Sequence, residues 1–226
     1  MTDPLPAGTG VDDQGPPGRL WDRMKADPQY APEHLALEAV RRLGPQAQAW
    51  AERSRAQQPG ITPDALAQLA VRRFTTHARL SGAMSGAAGL PGAVVDVGVL
   101  AWTQCRMALH IAAAYGVDPT SGDRAVDLLV LQKVHRIAET ARVALGVAAG
   151  RERASALFSS SSGRPIGRVM LQLGGRLARM AGVGAAKRMA AKVIPGAAVL
   201  LGSWANSAAA ADLARRATAM YRPATG

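Results

Sequence analysis

The chain of 226 residues carries a formal net charge of +11, a single cysteine and only 4% aromatic residues. It is long enough to bury a sizeable core and contains no short internal repeat. Its lone Cys105 excludes an internal disulfide framework and the common multi-cysteine zinc sites. Abundant alanine, with Val, Ile and Thr rarely alternating with polar residues, favours helix over sheet. The expected fold is all-α, a multi-helix bundle with no β-sheet.

The charge is unevenly spread. Basic and acidic residues number 7 and 8 over residues 1–60, 8 and 6 over 61–150, and 12 and 2 over 151–226. No acid lies between Arg153 and Ala211. This end of the chain should attract polyanions: an anionic lipid surface, nucleic acid or an acidic partner protein.

Residues 1–18, rich in proline and glycine, are expected to be a disordered arm before a single helical domain over 19–226. The arm lacks a basic region followed by an apolar run, so no secretory signal is expected and the predicted location is cytoplasmic, peripheral at the inner face of the plasma membrane. A short helix is predicted near Leu20, broken at Asp27 and Pro28. From Pro32 to about Ala56, residues Ala36, Val40, Leu43, Ala47 and Trp50 share one helical face, with Gly44 and Pro45 expected to kink or split the helix. Thr62 as cap and Pro63 at the first helical position open the next, whose stripe is Leu66, Leu69, Ala70 and Phe74 and which runs into His77.

A helix from about Gly92 to Tyr115 should end at Gly116, after which Asp118 and Pro119 are expected to cap the next. That next helix is predicted to run from Ser121 to Val147 with Val126, Val130, Val134, Ile137 and Ala141 on its core face. FSSSSG at 158–163 reads as a turn. From Arg164 to Met180, Ile166, Val169, Met170, Leu173, Leu177 and Met180 share one side while Arg164, Arg168, Arg176 and Arg179 share the other, which reads either as a solvated face over a core stripe or as a membrane-surface helix. Gly174 and Gly175 could mark a break in it or close packing.

Two apolar sections stand out. The stretch from His77 to Arg106 holds one charge, Asp96, between Arg79 and Arg106, and Gly82, Gly86, Gly89 and Gly92 recur every three or four residues. Val193 to Ala211 is again free of charge. An aspartate near mid-bilayer costs about 2.5–3.5 kcal/mol on insertion scales, so the sections are expected to pair inside the bundle rather than span a membrane. Asp96 would then accept hydrogen bonds from a helix N-terminus or from Asn206, tying the two sections together.

These features, taken in order, resemble the EcsC family of bacterial proteins over about residues 30–222. His77, Gly82, Gly86, Gly89, Gly92 and Asp96 are similar to its glycine-rich signature; Tyr115, Gly116 and Asp118 to the turn that follows; and Ile194, Pro195, Gly202 and Asn206 to its C-terminal signature. The chain departs from the pattern at Gly98, where the family often has proline, and at Ala198, where it often has glycine. The resemblance implies a helical protein associated genetically with an ABC transporter and with secretion or transport, and no established catalytic mechanism.

Could His77 and Asp96 form a catalytic or metal pair? A hydrolase would need a nucleophile and oxyanion donors, and a metal site a third ligand; Asn206, His110 and Asp127 are candidates that no spacing selects. No catalytic residue, metal or cofactor is therefore assigned, and no phosphate-cradling motif is present. The basic section lacks a recognition helix and interleaved aromatics, which places nucleic acid last among partners. The expected function is a non-enzymatic, membrane-associated accessory protein that presents Arg164, Arg168, Arg176, Arg179, Lys187, Arg188 and Lys192 to anionic lipid or a membrane transporter. The alternative is an enzyme or lipid-ligand binder with a pocket near Asp96, formed by His77, Gly82, Gly86, Gly89, Gly92, Asp118, Pro195 and Asn206. Homo-oligomerisation is left open.

Overall fold

The computed structural model describes residues 15–81, 89–157, 166–181 and 198–223. Among them are eight α-helices, one 3-10 turn and no strand. The helices are α1 (Gly18–Ala26), α2 (Ala31–Gln57), α3 (Pro63–Ser81), α4 (Gly89–Ala114), α5 (Asp123–Leu131), α6 (Ala138–Leu157), α7 (Ile166–Ala181) and α8 (Ala198–Tyr221), with the 3-10 turn at Pro28–Tyr30.

Helix α4 is the hub. It packs against α2, α3, α7 and α8, so from Val97 onward it is buried almost all round, as its near-continuous apolar sequence requires. Met107, Leu109 and Ile111 lie fully inside, and burying such side chains stabilises the fold by roughly 1.5–3 kcal/mol each. α8 packs on both α3 and α4, so the helix carrying the late apolar section does meet the glycine-rich one. At the α1 crossing, Trp21 lays its ring directly over Gly98, where any Cβ would collide with it. This is why glycine suits a position that the family often fills with proline.

Several helix ends follow the sequence directly. Thr62 Oγ1 accepts from the amide of Ala65 at 3.2 Å, the expected N-cap of α3. Gly116 closes α4's C-terminal turn at φ 78, a left-handed value that glycine adopts without strain. Ala36, Val40, Leu43 and Ala47 are buried on the expected face of α2.

Other expectations need correction. Of the kink or split expected at Gly44 and Pro45, the split does not occur; a single α2 runs through both, because the missing Pro45 hydrogen bond is outweighed by packing on either side. The helix predicted over Ser121–Val147 is two, α5 and α6. Its break is made by tertiary contacts: Lys133 takes a left-handed φ of 59, Arg216 Nε donates to the Leu131 carbonyl at 3.0 Å, and Gln132 turns inward toward Ala101 and Cys105. Ile137 consequently lies in the connection and is exposed rather than in the core. Asp118 caps no helix, since α5 begins only at Asp123; it accepts from the Thr120 amide at 2.8 Å and hydroxyl at 2.7 Å, fixing its own turn. Leu69 is exposed although the stripe included it, and of the two readings of Gly174 and Gly175 the break falls away, since both lie within an unbroken α7 in which Gly174 is buried.

Candidate functional site

The 3-10 turn, the start of α2, the segment entering α6 and one edge of α7 border a groove of about 400 Å³. Glu33 stands in the first turn of α2, where the helix dipole favours a carboxylate. It is 4% exposed, and His135 Nε2 lies 2.8 Å from its Oε1, while Oε2 is buried without a hydrogen-bond partner. His135 reaches it from the α5–α6 connection, which the left-handed Lys133 and the Val134 amide bond to the Leu129 carbonyl (2.9 Å) hold in place. A neutral imidazole that donates through Nε2 keeps its acceptor at Nδ1. The turn forming the groove's other side is braced as well: Asp27 accepts from Arg151 at 3.0 Å, and the Arg151 guanidinium lies 4.8 Å from the centre of the Tyr30 ring.

The groove's α6 wall is apolar yet open to solvent, with Val143 69% and Val147 39% exposed. Arg176 of α7 borders it opposite. α7 has the amphipathic arrangement that its sequence predicts: Leu173, Leu177 and Met180 are buried, Arg179 faces outward, and Leu171 is 67% exposed. Arg176 and Arg179 make no ion pair or hydrogen bond with a described side chain.

Elsewhere many charges are paired. Glu38 of α2 accepts from Arg23 (2.6 Å), Arg42 (2.6 Å) and Arg41, and Glu152 of α6 joins Arg23 and Arg41 to the cluster. Burial alone would raise the Glu38 pKa, but the three guanidinium hydrogen bonds outweigh it and hold the carboxyl at about 2. The cluster bolts α1 and α6 to α2. A second groove of about 570 Å³, between α3 and α8, is lined in part by Arg215 and Arg222, whose charges are met by Asp212 and Asp64 respectively. Tyr115 also donates to Asp64, at 2.6 Å.

Within α4, His110 and Cys105 are packing residues. His110 is enclosed by Trp50 and Phe74, with ring centroids at 5.0 and 4.8 Å, and its Nδ1 lies 2.8 Å from the Arg106 carbonyl. Burial lowers its pKa to about 3, so it is neutral. Burial likewise pushes the Cys105 thiol up to about 12, which makes it a packing residue and not a nucleophile.

Of the signature and basic-surface residues singled out from sequence, Arg176, Arg179 and Asp118 have described side chains, and of these only Arg176 borders the groove; the candidate third ligands His110 and Asp127 are described too, but lie in α4 and α5 outside it. Gly82, Gly86, Arg164, Lys187, Arg188, Lys192 and Pro195 lie outside the described residues, as do the side chains of His77, Asp96, Arg168 and Asn206. The backbones of Gly89, Gly92 and Asp96 belong to α4, and those of His77, Arg168 and Asn206 to α3, α7 and α8. Because α3, α4 and α8 pack on one another pairwise, the three signature helices share one part of the bundle. The pairing of Glu33 with His135 was invisible in sequence, since the residues stand 102 positions apart and neither belongs to a motif. No group of three metal-ligating side chains occurs among the described residues.

The profile of the EcsC protein family matches residues 56–223. The chain belongs to this family. The EcsC span takes in α3 to α8 with His135 and Arg176, whereas α1 and nearly all of α2, with Glu33 and Glu38, precede it. No curated protein and no solved structure matches the chain. Among the described residues, no helix is long and apolar enough to cross a membrane.

Proposed function

We propose that this EcsC-family protein is a non-enzymatic accessory protein that works at the surface of an anionic membrane, on the side where a transporter of the ABC type would present its cytoplasmic parts. The observation that carries the reading is the outward face of α6 and α7. Val143 and Val147 expose aliphatic carbon in the groove that Arg176 borders, and α7 also exposes Leu171 and Arg179; neither arginine has a described acidic partner. Water gains nothing from such carbon, whereas a lipid interface both buries it and supplies the counter-charge. The acid-free run that contains α7 extends the same positive field along the chain.

Flotation of the full chain with vesicles tests this. Binding is expected to phosphatidylcholine vesicles containing about one-third phosphatidylglycerol, to weaken when salt rises from about 50 to about 300 mM, and to be absent from pure phosphatidylcholine. Absence from both lipid fractions at the lower salt would remove the membrane reading.

A further inference from the structure

Glu33 is an anomaly. A carboxylate 4% exposed should have both oxygens satisfied, yet only Oε1 is engaged, by His135, and Oε2 is left buried without a donor. The same groove presents Arg176, a cation without a partner among the described residues, and the exposed carbon of Val143 and Val147. A hydrogen-bond donor, an anion and a hydrocarbon chain are therefore each called for within about 400 Å³, the size of a small-ligand site.

We infer that the groove holds the head group of a single phospholipid of the glycerol type: its phosphate on Arg176, a hydroxyl of the head donating to Glu33 Oε2, and the first carbons of the chain along Val143 and Val147. This deepens the membrane-surface reading and rests on it. The chemistry discriminates among anionic lipids. A head bearing phosphate but no hydroxyl satisfies Arg176 and leaves Glu33 Oε2 unpaired, so it forfeits one hydrogen bond to a charged acceptor. Glu139 also borders the groove, but it stands 3.9 Å from Arg142, which offsets its repulsion of a phosphate.

The test compares phosphatidylcholine vesicles doped with phosphatidylglycerol or with phosphatidylmethanol, lipids of equal charge that differ in the head-group hydroxyls. The full chain is expected to bind the phosphatidylglycerol vesicles at least about tenfold more tightly, the worth of one such hydrogen bond. Glu33→Gln is expected to erase that preference while still binding both vesicles, and Arg176→Gln, a substitution at a partly exposed position, to weaken both. Equal binding of the wild type to the two vesicles overturns the head-group site and leaves the membrane reading standing. A preference that survives in Glu33→Gln, shown by its circular dichroism to be folded, also overturns the site. Binding to neither vesicle removes both readings.

Discussion

The middle of α4 and the α6–α7 surface both depart from the rule of apolar inside and polar outside, in opposite directions. In α4, His110 and Cys105 are held in a packed interior by a backbone carbonyl, two aromatic rings and Gln132. Around the groove, aliphatic side chains face water, Glu33 Oε2 has no donor, and Arg176 has no described acid. Inward polarity that the fold itself answers is architecture. Outward apolarity beside unanswered charge asks for something from outside the chain.

The largest way to break this contrast is acid. The folded His110 pKa lies at about 3, far below the ordinary value of 6.5, so the unfolded chain binds the extra proton first. The stability gained from keeping His110 neutral is complete above pH 6.5 and is lost as pH falls from 6.5 toward 3, on the order of 4 kcal/mol in all. Denaturant midpoints measured between pH 7 and pH 4 should fall, and His110→Phe should flatten the fall. Glu38 adds a separate loss only as pH drops from 4.5 toward 2, since its carboxyl is held low.

A steric pair sharpens the comparison next. A Cβ on Gly44 would sit 2.5 Å from the Pro119 carbonyl oxygen, so Gly44→Ala should destabilise by about 1–3 kcal/mol through overpacking. Gly175 meets nothing within 4 Å on the outer side of α7, and Gly175→Ala should stabilise by about 0.5–1 kcal/mol through helix propensity. Thermal melts of the two variants should move in opposite directions. The smallest stability effect is expected for Val143→Ser, within about 0.5 kcal/mol because the side chain is already exposed, although its vesicle binding should weaken.

Much of the scaffold was legible in the sequence because it is decided locally. Thr62 and Pro63 begin a helix, Gly116 ends one, and the period of Leu173, Leu177 and Met180 identifies the buried side of α7. The break between α5 and α6 was not, since it depends on Arg216 from far along the chain and on Gln132 turning toward α4. The groove was hidden for the same reason. His135 looks like one more polar residue in a polar stretch until the fold sets it against Glu33, and nothing in the pattern marks Val143 as a side chain that α6 leaves uncovered. Arg176 was recognisable as part of a basic face, but not as the neighbour of a carboxylate–histidine pair.

The membrane-facing claim has a direct measurement, made simple by Cys105. That thiol is buried and its pKa is raised to about 12, so it should resist labelling in the native protein and leave an introduced cysteine to react alone. An environment-sensitive fluorophore on Val143→Cys reports the groove wall; the same dye on Gln48→Cys, exposed on α2 some 15 residues or roughly 22 Å along the helix from Glu33, reports a face outside it. Addition of anionic vesicles is predicted to shift emission to the blue and raise its intensity at position 143 and to leave position 48 unchanged. A shift at 48 with none at 143 would contradict the account.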